Sequence, residues 1–118
     1  MNIEEVREYC LTFKNSTECF PFDDVNLVFK VENKMFLLLP LDAEEPYVAV
    51  KCGVDYVEEL RDRYSAVEPA FHFNKRYWNS IYLERDMDDD EIRRWIAHSY
   101  REVIAKLPKR IRERYSDE

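Results

Sequence analysis

The sequence predicts an α+β domain: one antiparallel sheet of five strands with helices packed on one of its faces. Three observations lead there. Apolar residues recur at three- and four-residue intervals near both ends of the chain, the signature of amphipathic helices. Between those stretches lie short runs rich in β-branched and aromatic side chains, which suit strands. The connections between neighbouring runs are too short for parallel crossovers, so the strands must run antiparallel. The order read from the sequence is helix, three strands, helix, two strands, two helices, in one domain over residues 1–118.

Each element follows from its own pattern. Ile3, Val6, Cys10 and Phe13 form one stripe of a first helix over 3–14, with Glu4, Glu5 and Glu8 facing away and early glutamates suiting the helix dipole. Val25, Leu27, Phe29 and Val31 alternate with Asn26, Val28 and Lys30 in a first strand. Met35 to Leu39 is a second, and Glu32-Asn33 between them suits a tight turn, because Asn tolerates positive φ. Pro40 stops the second strand, and Tyr47 to Val50 is a third. Tyr56, Val57, Leu60 and Tyr64 fit a second helix of about three turns. Phe71 and Phe73 alternate with His72 and Asn74 as a fourth strand, paired back through a turn to a fifth over Tyr77 to Leu83. Asp88, with Glu91 three residues on, opens a helix over 88–106 whose stripe is Ile92, Trp95, Ile96, Ser99, Tyr100, Val103, Ile104 and Leu107. Pro108 separates it from a short basic helix over 109–115. Trp95 and Tyr100 fall within the apolar arc and are expected to be buried. Ser99-Tyr100 is expected to supply a buried hydrogen bond.

Composition excludes several function classes. Of 118 residues, 46% are hydrophobic and 36% charged, which supports a packed core and excludes intrinsic disorder. No apolar run approaches the roughly 20 residues of a membrane span. Met1-Asn2-Ile3-Glu4-Glu5 lacks the features of a signal peptide, so a cytoplasmic setting is expected. Cys10, Cys19 and Cys52 show no Cys-x-x-Cys spacing, and neither His72 nor His98 lies within a turn of a cysteine. Reduced thiols, no metal and no cofactor are therefore expected. Gly53 is the only glycine, so no glycine-rich phosphate loop can be written. No nucleophile–base constellation emerges, and the chain is expected not to be an enzyme.

Several short pieces stand in a recognisable order: Pro21-Phe22, then Val28-Phe29-Lys30-Val31-Glu32-Asn33-Lys34-Met35-Phe36, then Pro46-Tyr47-Val48-Ala49-Val50-Lys51-Cys52. His72 to Asn79, Ser99-Tyr100 and Leu107-Pro108-Lys109 follow. Together they resemble the MmcQ/YjbR family over nearly the whole chain. That resemblance implies a frataxin-like α+β layout and the "double-wing" shape, to which a DNA-binding role is attached. The chain departs from the family pattern where Asp23 and Ala70 stand in place of the usual glycines and Tyr77 in place of a common His. Less permissive turns follow at those positions.

Charge is unevenly distributed. The net charge is −7, yet residues 92–116 carry a balance of +6 on a body of opposite sign. Arg94, Arg101, Lys106, Lys109, Arg110 and Arg112 are the candidate phosphate-contacting residues of a basic C-terminal helical surface. The same end could instead dock an acidic partner protein, or serve as a solvated face. His72, Asn74, Lys75, Trp78 and Asn79 form the densest polar-aromatic cluster. It reads either as a recognition surface, or as a core tryptophan with amides that satisfy turn backbone. The function expected is thus a non-enzymatic binding protein for DNA, with protein–protein interaction as the alternative. Binding to a membrane is not expected.

Overall fold

The computed structural model describes residues 1–116. The chain forms α1 (Ile3–Leu11), β1 (Thr17–Cys19), β2 (Asn26–Val31), β3 (Lys34–Pro40), β4 (Tyr47–Lys51), α2 (Val54–Arg63), β5 (Val67–Pro69), β6 (Trp78–Tyr82), α3 (Asp89–Ala105) and α4 (Lys109–Arg112), followed by a 3-10 turn at Glu113–Tyr115. All strand pairs are antiparallel, in the order β1-β2-β3-β4-β6-β5.

The sheet therefore has six strands, not five. Thr17–Cys19, in a stretch whose polar Asn15-Ser16-Thr17 reads as a break, adds an edge strand to β2. The expected strand over 71–74 is a turn, and its place beside β6 is taken by Val67–Pro69. The alternation of Phe71 and Phe73 comes from a loop that folds back over the sheet, with the Phe73 amide donating to Ala70 O and the Ala70 amide to Trp78 O. The first helix stops at Leu11 rather than at 14, and Asp88 lies just outside α3 as its cap, its Oδ1 accepting from the Glu91 amide at 2.8 Å. The basic segment after Pro108 divides into α4 and the 3-10 turn. Glu32 and Asn33 both take positive φ, 49° and 62°, as the tight β2–β3 turn requires.

Alternation within the strands sends two sets of side chains to opposite faces. Leu27, Phe29, Leu37, Leu39, Val48, Val50 and Ile81 meet Val6 and Cys10 of α1, Val57 and Leu60 of α2, and Ile92, Ile96 and Tyr100 of α3 in the main core. Trp95 (6% exposed) and Tyr100 (1%) are buried as the stripe predicts, and the Tyr100 hydroxyl donates to Lys14 O at 2.7 Å. Among the described residues no helix packs on the other face. There Val28, Leu38, Ala49 and Ala70 form a smaller cluster, covered by Phe73, Trp78, Met35 and Cys19.

Ser99, wholly buried on α3, joins the helix to the sheet. The β3–β4 ladder runs Leu38↔Ala49, Leu37↔Val50. The next rung would place Phe36 opposite Lys51, and the serine hydroxyl completes it: Oγ accepts from the Lys51 amide at 2.8 Å and donates to Phe36 O. This is the buried hydrogen bond expected of Ser99-Tyr100, and it fixes the backbone from which Lys51 projects.

Candidate functional site

The basic residues near the C-terminus separate into two places. At about 100° per residue, Arg94 and Arg101 lie nearly in line on α3, on the side away from Ile96, Ser99 and Val103. Both are exposed, and Arg94 pairs with Glu91 at 3.4 Å within its own helix. Lys106 stands at the end of α3, turned toward the core side. There it lines a cleft of about 400 Å³ with Lys34, Met35, Lys51, Trp78, Val103 and Leu107. Lys109, Arg110 and Arg112 follow on α4, all exposed. Arg112 makes a long bond to Ala105 O at 3.5 Å.

The cleft brings together three lysines from three elements: Lys34 at the start of β3, Lys51 at the end of β4 and Lys106 after α3. None of them has an ion-pair or side-chain hydrogen-bond partner among the described residues. Among the described residues no carboxylate lines the cleft. Such a place attracts an anion, and the Trp78 ring beside it adds an apolar, polarisable surface. Lys34 and Lys51 occur within the pieces that carry the family resemblance, but as isolated lysines at strand ends they give no sign that they share a site. The register Lys51↔Trp78 is what brings these two residues to one cleft.

The polar-aromatic cluster of the sequence does not stay together. Asn79 is a correction: it is 1% exposed and faces the helices, where its Oδ1 accepts from Arg61 Nε at 2.7 Å and its Nδ2 donates to Val57 O. Adjacent strand residues face opposite ways, so Asn79 cannot share a surface with Trp78. Asn74 Oδ1 accepts from the Arg76 amide and shapes the turn. Lys75 is exposed, its Nζ 5.9 Å from the centre of the Phe71 ring. Trp78 is half-buried on the helix-free face, stacked on Phe73 with centroids 4.8 Å apart and planes 22° from parallel. His72 belongs to a different feature.

That feature is a hollow of about 340 Å³ on the helix-free face, lined by Phe22, Asn26, Leu38, Tyr47, Ala49, Phe71, His72, Phe73 and Ser80. Its floor exists because two small residues, Ala49 and Ser80, stand opposite each other across β4 and β6. On one side the neighbouring pair is Tyr47 and Tyr82, whose rings lie 5.3 Å apart, and on the other the Trp78–Phe73 stack. Asp23 holds the rim: its carboxylate accepts from the Val25 and Asn26 amides and the Asn26 side chain, which drives its carboxyl below the usual range. Sequence reading misses this hollow because its residues come from five separate stretches. The adjacency of Ala49 and Ser80 depends on β4–β6 pairing, which no local signal gives.

The two buried thiols and His98 offer little chemistry. Burial pushes the Cys52 thiol up to about 12 and the Cys10 thiol higher still, whereas nucleophilic or metal-binding cysteine needs the thiolate. His98 Nε2 accepts from the Gly53 amide at 3.0 Å and its ring packs edge-on to Trp95 and Tyr56. Burial holds its pKa below the ordinary value, so it serves as a neutral acceptor.

Comparison with known proteins shows the company that the chain and its fold keep. The Escherichia coli K12 protein YjbR is 28% identical over 113 residues, covering 96% of both chains. The Escherichia coli O157:H7 protein YbdF is 28% identical over 96 residues, 81% of this chain and 79% of its own. Among solved structures, Deinococcus radiodurans protein DR2400 superposes with a TM-score of 0.90 at 28% identity, over 96% of this chain and 86% of that one. A Pseudomonas syringae protein shares the fold, with a TM-score of 0.73 at 22% identity over 84% of this chain and 96% of its own. The model of the YjbR family matches residues 11–102, and the chain belongs to that family.

Proposed function

We propose that this protein is a non-catalytic binding domain whose ligand is DNA, held by its phosphates at the basic end of the sheet and of α3. The observation that carries the reading is the cleft of Lys34, Lys51 and Lys106 beside Trp78. Three ammonium groups with no ion-pair partner among the described residues line one cleft, and a phosphate backbone offers them the counter-charge. Lys109 and Arg110, exposed on α4 just beyond Leu107, add positive charge near that end. Because sequence information lies in base edges and this end offers mainly phosphate contacts, binding is weak and tolerant of sequence.

Fluorescence anisotropy of a labelled duplex over a series of salt concentrations tests this. Three phosphate contacts give a fall of log K with log salt of about −2.7, from ~0.9 per contact. The Lys34→Gln, Lys51→Gln, Lys106→Gln triple variant should lose most of that slope while keeping its melting temperature, since exposed charges contribute little to stability. Absence of wild-type binding at low salt, or an unchanged slope in the triple variant, would refute the reading. Charge-dependent capture of an acidic protein in place of the duplex would favour the alternative, a protein-docking module.

A further inference from the structure

We propose that the hollow on the helix-free face is a binding site for a small, neutral aromatic molecule bearing one hydrogen-bonding substituent. This is independent of the DNA reading, which concerns the lysine cleft on the other side of the Trp78–Phe73 stack.

Two phenylalanines at the rim are far more exposed than a core residue can be: Phe71 at 79% and Phe22 at 66%. Isolated exposed apolar residues are ordinary, but these two border one concavity whose walls are Tyr47 and Phe73. Aromatic walls around a volume of about 340 Å³ suit one or two rings held by edge and face contacts, and the volume falls in the usual range of ligand sites.

Ser80 supplies the second observation. It is only 7% exposed, its side chain lines the hollow, and its hydroxyl has no hydrogen-bond partner among the described residues. Its oxygen stays open to the hollow, so a ligand group seated on the floor can bond to it directly in place of water. Asn26 leaves its Oδ1 free for the same purpose, because its Nδ2 is given to Asp23. Among the described residues no Asp, Glu, Lys or Arg lines the hollow, so a charged ligand would lose its hydration without an adjacent counter-charge. Neutrality is therefore part of the specificity.

The test is a two-dimensional amide NMR titration of the full chain with 4-ethylphenol, beside its charged counterparts 4-ethylbenzoate and 4-ethylbenzylamine. Saturable shifts confined to Leu38, Tyr47, Ala49, Phe71, His72, Phe73 and Ser80 are expected for the phenol, with binding of both ions at least tenfold weaker. Ser80→Ala should weaken phenol binding about fivefold, the worth of one net hydrogen bond. Phe71→Ser, at a surface position that cannot unfold the core, should weaken it about tenfold. Shifts scattered over the protein, ions that bind as well as the phenol, or a Ser80→Ala variant with unchanged affinity would overturn the proposal. So would sedimentation showing a dimer that Phe71→Ser dissociates, since the rim would then be covered by a second copy.

Discussion

Replacing Ser99 by Ala removes one oxygen and breaks a rung of the sheet. The hydroxyl sits between Phe36 O and the Lys51 amide, at the position where β3 and β4 would otherwise bond directly. Phe36 is 0% exposed, so its carbonyl cannot turn to water when the serine donor is gone. Lys51 is half-buried, and its amide recovers part of its bond from solvent. A buried group left unsatisfied costs about 1–3 kcal/mol, and the two together put the loss at about 2–4 kcal/mol. In a domain of this size, ~4 °C per kcal/mol puts the fall in melting temperature at about 8–16 °C. Urea unfolding followed by circular dichroism measures it, and the m-value should stay constant because the exposed surface does not change. Ser80→Ala is the control. Ser80 is also buried, but it has no side-chain partner to lose, and its removal should change stability by less than about 0.5 kcal/mol. A Ser99→Ala variant within that same margin, or a Ser80→Ala variant as unstable as Ser99→Ala, would refute the reasoning.

Two other outcomes are expected. Trp95→Ala removes a ring that packs on Tyr56 and His98 and should cost about 3–5 kcal/mol, read by the same urea titration; a variant as stable as the wild type would mean that α3 faces the sheet differently. His98 makes stability depend on pH: its folded pKa lies below the unfolded value of about 6.5, so the unfolded chain binds the extra proton. Its contribution is complete above that value and diminishes as the pH falls through the window below it, so melting at pH 7.5 should exceed melting at pH 5.5. The His98→Gln variant should show a smaller difference, and an equal one would remove His98 as the cause.

What could be read from the sequence divides along physical lines. The stripe of α3 was legible because seventeen residues give several turns over which the apolar positions repeat, and it located Trp95, Ser99 and Tyr100 correctly. The β2–β3 hairpin was legible because Asn33 tolerates the φ that the turn needs. Both edge strands were missed for one reason: three residues make too short an alternation to see, and Thr17–Cys19 and Val67–Pro69 are strands only because β2 and β6 give them partners. The family membership came from ordered short motifs, no one of which shows structure. The site was half legible. Lys106 and Trp78 were singled out, on separate grounds, but their meeting required the β4–β6 register and the exit of α3 over the sheet end. Asn79 was misplaced because polarity in a sequence does not tell a surface amide from one tied to Arg61 and Val57.

The face without helices is where the fold leaves room for function. On the covered face, side chains from α1, α2 and α3 pack the middle of the sheet with Val, Leu, Ile and aromatic groups. On the open face the pair Ala49–Ser80 is too small to fill its own space, and the loop over 70–77 comes only part of the way across. Phe73 and Trp78 stack where that loop meets β6, and they divide the open face in two. On the Phe73 side lies the neutral hollow, and on the Trp78 side the three lysines. The partition keeps like with like: the ammonium groups remain in contact with water, which the aromatic hollow would deny them. Ser99 braces the same boundary from behind, since the Lys51 amide that it holds belongs to the residue paired with Trp78. The open face is thus one rigid surface with two chemistries, set by the register of β4 against β6.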